Sequence, residues 1–122
     1  RSPDPVALKS QHLKRLKEIE AAFPIFKLEV FKELDREHSI DAFGFYFSAV
    51  VRPLVELMGI LHRPFRFDFG LRYLHKTFPP TDQKAIERLI YIQDAKDLRN
   101  RMAEADLLFV EVCRRVHLKL EQ

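Results

Sequence analysis

From Leu13 the apolar positions fall at Leu16, Ile19, Phe23, Phe26, Val30 and Leu34, a recurrence of three and four that lays one face along a long helix. Pro24 stands inside this run and the phase continues across it. That continuity favours one helix kinked at the proline over two helices with Pro24 opening the second. Pairs such as Lys14–Glu18 decorate its outer face and serve solubility. Ser39 is the expected N-cap of a second helix, with Asp41 in its first turn, where negative charge complements the helix dipole. The spacing turns Ile40, Phe43, Phe47, Val50, Val51, Leu54, Leu57, Met58 and Leu61 inward. Gly44-Phe45-Tyr46-Phe47 is apolar around much of the circumference, which predicts a central helix. Pro53 removes a backbone donor and is expected to bend it, at a cost of about 3 kcal/mol unless the fold accommodates the kink.

Between His62 and Pro80 the periodicity fails, punctuated by Pro64, Gly70, Pro79 and Pro80. Asp68 is positioned to cap a short helix over Leu71–Lys76, and Thr81 another through about Tyr91 with Ile86, Leu89 and Ile90 inward. Asp94 is expected to cap the last long helix, whose inner face reads Leu98, Met102, Ala105, Phe109, Val112, Val116 and Leu120. No alternating strand, internal repeat or low-complexity tract occurs. The prediction is an all-α, up-and-down helical bundle of three long helices plus one or two short ones. At 122 residues the chain amounts to a single domain, 1–122.

Charge sharpens this picture at one place. The net +3 sums 21 Lys and Arg against 18 Asp and Glu. Residues 62–77 hold four basic groups and one acid, so this window accounts for the whole excess. The charge is not a stripe along the chain, which disfavours a nucleic-acid partner. A single cysteine, Cys113, excludes a disulfide framework and a Cys-rich zinc site, and is read as a buried inert thiol. No apolar run is expected to reach the roughly 18 residues of a membrane span, and no signal peptide opens the chain, so the expected location is cytoplasmic with no membrane partner. Arg1-Ser2-Pro3-Asp4-Pro5 reads as linker chemistry, and the chain as the C-terminal half of a longer two-domain protein.

The aperiodic window interleaves Phe65, Phe67, Phe69 and Tyr73 with Arg63, Arg66, Arg72 and Lys76. Guanidinium forks bind phosphate or carboxylate at two points, and aromatic faces accept stacked rings, so the segment suits an anionic or ring-bearing ligand. The plainer alternative is a loop whose aromatics plug the bundle's end while its arginines pair with carboxylates of the long helices. Asp68 either caps or pairs with Arg66 or Arg72, or else orients an arginine or accepts a substrate proton. Glu56 either pairs with Arg52 four residues back, or stands as a weak candidate general base. The five histidines show no metal-ligand spacing, so no metal is expected on this chain. Asp68-Phe69-Gly70 lacks the other parts of a kinase. The Arg and His spacing of HEPN ribonucleases is absent, since eight residues separate Arg66 from His75 and nine separate Arg52 from His62.

Arg52-Pro53-Leu54-Val55-Glu56-Leu57, His62-Arg63-Pro64, Asp68-Phe69-Gly70-Leu71-Arg72-Tyr73-Leu74 and Ile90-Tyr91-Ile92-Gln93-Asp94-Ala95-Lys96-Asp97-Leu98 together resemble one known domain. It is the C-terminal, substrate-side helical domain of small bacterial-type nucleotidyltransferases of the polymerase-beta superfamily, relatives of the aminoglycoside-adenylylating enzymes. The likeness covers roughly residues 40–110. It implies a catalytic domain upstream in the same polypeptide, with paired aspartates, Mg²⁺ and a nucleoside triphosphate. None of those catalytic residues lies in this chain, which alone is expected to be inert and to bind no cofactor. The resemblance places Arg63, Asp68, Arg72 and Tyr73 at the interdomain cleft, with Arg66 beside them, binding a small-molecule or nucleotide ligand. The implied chemistry is attack of an acceptor hydroxyl on the α-phosphate. Aminoglycosides are polycations, so the basic window argues against them as acceptor.

Two other classes stand beside this transferase reading. Eleven phenylalanines are enough to leave an apolar patch for a partner protein or a homodimer, which makes a non-catalytic interaction module the alternative. RNA binding through the same window is the weaker third.

Overall fold

The chain enters its first helix at Asp4, whose carboxylate accepts the Val6 N–H at 3.1 Å while Pro5 takes the first helical position. The computed structural model describes residues 4–122, so Arg1–Pro3 of the expected linker lie outside the described residues. Helix α1 (Pro5–Asp35) is a single helix with Pro24 inside it, on the exposed face. It buries Leu16, Ile19, Phe23, Val30 and Leu34, but His12 takes the inward place expected for Leu13. The helix ends in a Schellman motif: His38 N–H bonds the Glu33 carbonyl at 2.9 Å, and Glu37 N–H that of Leu34 at 3.0 Å. Glu37 occupies the left-handed position, φ 59°, that glycine usually fills.

After this turn α2 (Ser39–Tyr46), a π-helical turn (Phe47–Val51) and α3 (Arg52–His62) form one continuous run. Its N-cap is His38, whose side chain makes no capping bond, and Ser39 is already helical. The inward face of α2 also differs from the prediction. Ala42 and Tyr46 are buried, whereas Ile40 is 86% exposed and Phe43 39%. Tyr46 wins the core position because its buried hydroxyl donates to the Leu89 carbonyl at 2.5 Å. Within the π turn the predicted core residues Val50 and Val51 are buried; beyond it Leu54, Leu57 and Met58 are buried and Leu61 is half-buried. The turn also accommodates Pro53. Arg52 N–H reaches back five residues to Phe47, which widens the helix just where the proline ring would crowd the preceding turn.

The run Ser39–His62 is long and apolar enough, by length and composition, to cross a membrane, contrary to the expectation that no segment reaches that measure. Half of its most apolar window is buried inside the bundle, as in the core helix of a packed domain.

Three further helices complete the chain: α4 (Leu74–Thr77), α5 (Pro80–Ile90) and α6 (Ala95–Leu120). Asp94 caps α6 as expected, accepting Asp97 N–H at 2.8 Å, and Asp97 returns a bond to Gln93 N–H at 3.0 Å. The predicted inner face of α6 is buried throughout except for half-buried Phe109, which stacks on Phe23 with centroids 3.8 Å apart. Thr81 is not a cap; Pro79 precedes α5 and Thr81 lies in its first turn. Nor does Asp68 cap a helix, because α4 is confined to Leu74–Thr77 and begins after Tyr73.

Cross-helix pairs fix the directions. Lys27–Asp106 and Arg99–Asp35 set α1 antiparallel to α6, and Arg15–Glu56 sets it antiparallel to the α2–α3 run. Asp82 with Arg115 and Arg88 with Glu104 set α5 antiparallel to α6. The result is an all-α, up-and-down bundle. One of its ends gathers the start of α1, the end of α3, the start of α5 and the end of α6, and the 62–77 segment covers that end.

Candidate anion-binding site

The segment is held against the bundle by backbone approach. Gly59 on α3 leaves room for Phe67, since a Cβ there would stand 2.6 Å from the Phe67 carbonyl oxygen. Phe67 is buried and meets the edge of the His12 ring at 5.0 Å. His12 Nε2 lies 2.9 Å from the Pro64 carbonyl, and burial lowers its pKa against the raising effect of that bond. On the other side Lys119 donates to the carbonyls of Ile60 and Leu61 at 2.7 and 3.2 Å, satisfying the exposed end of α3.

Arg63 organises the loop from within. It is 7% exposed, lies over the Phe78 ring at 4.8 Å, and donates through its two terminal nitrogens to the carbonyls of Arg72 and Gly70. Its Nε is buried without a partner among the described residues. Burial lowers the Arg63 pKa, and Asp68 opposes this only through space. Two left-handed residues shape the turn it clamps, Gly70 at φ 67° and Tyr73 at φ 58°. Tyr73 there is strained by roughly 1–3 kcal/mol, a cost that tends to accumulate at functional sites. Gly70 cannot be exchanged without strain because of its positive φ; a Cβ there would also stand 3.3 Å from the Arg52 side-chain Nη2.

The loop so held borders an open cavity of about 550 Å³. Arg63, Arg66, Arg72 and Lys76 line it, with Phe69, Tyr73 and Thr77 between them. Among the described residues none of these four cations lies within 4.0 Å of a carboxylate. The expectation that loop arginines pair with the long helices is thus overturned, because the nearby helix carboxylates already have other partners. Glu56 is held by Arg15 through two bonds of 2.6 and 2.8 Å, not by Arg52. Asp82 is held by Arg115 and His62. Of the four aromatics expected to plug the bundle's end only Phe67 is buried; Phe69 is half-buried, and Phe65 and Tyr73 are 64% and 47% exposed.

Of the residues nominated from sequence, Arg63, Arg66, Arg72 and Tyr73 come together around the cavity, while Asp68 is exposed and does not line it. Glu56 lies apart, locked in its ion pair. Phe69, Lys76 and Thr77 were not nominated as site residues, although Phe69 and Lys76 belong to the same aromatic and basic window. With no carboxylate at its wall, the cavity's donor set suits an oxyanion and does not suit Mg²⁺.

Elsewhere, Glu33, His38 and Asp41 bring one ligand-type atom each within 4.8 Å of one another at the α1–α2 turn. Their spacing in the chain had not suggested a cluster. Glu33 and His38 already bond each other at 3.0 Å, and Arg36 approaches Glu33 at 3.4 Å. Cys113 is buried, which pushes its thiol up to about 12 and leaves it without thiolate character.

Comparison with protein families, curated proteins and solved structures returned no match to this chain.

Proposed function

We propose that the chain is an anion-binding helical domain whose 62–77 pocket takes a phosphorylated small molecule, serving as the substrate-side domain of a nucleotidyltransferase. One observation carries the reading: Arg66, Arg72 and Lys76 converge on a single cavity with no carboxylate to neutralise them. Cations gathered at one wall without acidic partners present their N–H groups to the cavity, and a bound oxyanion accepts from several of them at once. The sequence resemblance supplies the transferase part of the proposal, since Arg63, Arg72 and Tyr73 belong both to the resembling stretch and to the cavity wall. In this role the chain binds and orients a phosphorylated ligand, and metal-dependent chemistry is supplied by residues outside it.

Calorimetric titration with ATP tests this. Binding is expected in EDTA as well as in Mg²⁺, because the wall offers cations and no metal ligand, and Arg66→Ala with Arg72→Ala is expected to weaken it at least about tenfold. Absence of binding, or binding only with Mg²⁺, sinks the proposal.

A further inference from the structure

We propose that this pocket recognises the polyphosphate chain of its ligand and is indifferent to the base, with Phe69 and Tyr73 acting as supports for guanidinium groups and not as platforms for stacked rings. The proposal rests on the anion-binding reading above and adds which part of the ligand is read.

Aromatics among arginines suggest base stacking, but the ring faces are already engaged. Arg66 and Arg72 both lie over Phe69, each with Cζ 5.7 Å from its centroid, and Arg72 also lies over Tyr73 at 5.5 Å. A base that stacked on Phe69 would compete with a guanidinium for the same ring. A guanidinium resting on a ring keeps its five N–H groups in its own plane, free to point at oxygen acceptors. Neither Arg66 nor Arg72 spends any side-chain donor on a protein acceptor among the described residues, and Lys76 is likewise uncommitted. Thr77 hydroxyl donates to the Tyr73 carbonyl at 2.9 Å, so its hydrogen is taken.

The wall is therefore dominated by donors. Reading a base edge requires a set of donors and acceptors matched to that base, and the only side-chain acceptors on this wall are the hydroxyl oxygens of Tyr73 and Thr77. Phosphoryl oxygens only accept, and a chain of phosphates engages several forks in turn, so affinity grows with chain length. The cavity is also pre-ordered for this work. Arg63 fixes the carbonyls of Gly70 and Arg72, and the left-handed residues Gly70 and Tyr73 bracket the turn that carries Arg72. Little backbone freedom remains to be lost on binding, and the cost that is left is the ordering of the exposed Arg66, Arg72 and Lys76 side chains.

The decisive experiment titrates the chain, at fixed ionic strength, with orthophosphate, pyrophosphate, tripolyphosphate, ATP, GTP and adenosine. Tripolyphosphate, ATP and GTP are expected to bind within about threefold of one another, orthophosphate at least about tenfold more weakly, and adenosine not at all. Phe69→Leu keeps apolar bulk and removes the ring. It is expected to weaken tripolyphosphate and ATP alike, by about three- to tenfold, through loss of the guanidinium support. Binding of adenosine, a tenfold preference between ATP and GTP, or a Phe69→Leu effect on ATP alone overturns base indifference while leaving the anion site standing. Failure of every phosphate probe overturns both.

Discussion

Asp82 joins three helices through one carboxylate. From the first turn of α5 it accepts two bonds of 3.1 Å from Arg115 on α6, and its Oδ2 lies 2.6 Å from His62 Nε2 at the end of α3. Burial by itself would raise its pKa, yet the bonds and charges of Arg115 and His62 outweigh burial and hold it below the ordinary carboxylate value. The folded value thus lies beneath the unfolded one of about 3.9, so the stabilisation is present above that pH and is lost as pH falls through the folded value. Asp82→Asn should be less stable than the parent near neutrality and should show a flatter fall in stability below about pH 4. Thermal melts along a descending pH series measure this. An unchanged acid limb in the variant would assign the sensitivity to other groups. At this scale the sequence was only partly informative. The charge and type of Arg63 were plain, but its partners are backbone carbonyls, which leave no trace in residue identity. Glu56 found Arg15 across the bundle and not Arg52 along its own helix, a choice that only tertiary packing makes.

Among the helices, α6 was readable throughout because a self-contained cap at Asp94 starts it and one unbroken period fills it. The α2–α3 run was not, because the π turn at Phe47–Val51 resets the phase midway. Side chains before that turn are therefore rotated from where a uniform helix would put them, and Ile40 and Phe43 face outward. Two glycines in the same run make a controlled comparison. Gly44 is exposed, and a Cβ there would meet nothing within 4 Å. Gly59 is buried, and a Cβ there would stand 2.6 and 2.8 Å from the Phe67 carbonyl oxygen and Cα, which are backbone atoms. Gly44→Ala should gain close to the helix-propensity difference of about 1 kcal/mol. Gly59→Ala should lose more than that gain, because overpacking costs roughly 1–3 kcal/mol, and should weaken anion binding by pushing the loop off α3. Paired melts and titrations check both. A Gly59→Ala variant as stabilised as Gly44→Ala would mean that the loop does not depend on this close approach.

For the molecule as a whole, helical periodicity was enough to establish the all-α bundle, and the charge count located the basic end. Neither could tell whether the loop's cations were spent on neighbouring acids. That depended on Arg15, Arg115 and His62 having claimed Glu56 and Asp82 first, an outcome of how four helices meet at one end. The same meeting has a thermodynamic consequence. His12, in the early turns of α1, and Lys119, in the last turn of α6, both hold the backbone of a single stretch, Ile60 to Pro64. The early part of α1 and the last turn of α6 are thereby clamped to the root of the pocket, and their opening and the pocket's integrity share one equilibrium. A ligand that binds only the closed form must slow amide hydrogen exchange in the early turns of α1 and the last turn of α6, although it touches neither. Saturating tripolyphosphate should protect the amides around His12 and Lys119 while leaving those around Phe43 and Gly44, at the opposite end of the bundle, at their unliganded rates. Unchanged exchange in those turns would show that they open independently of the pocket.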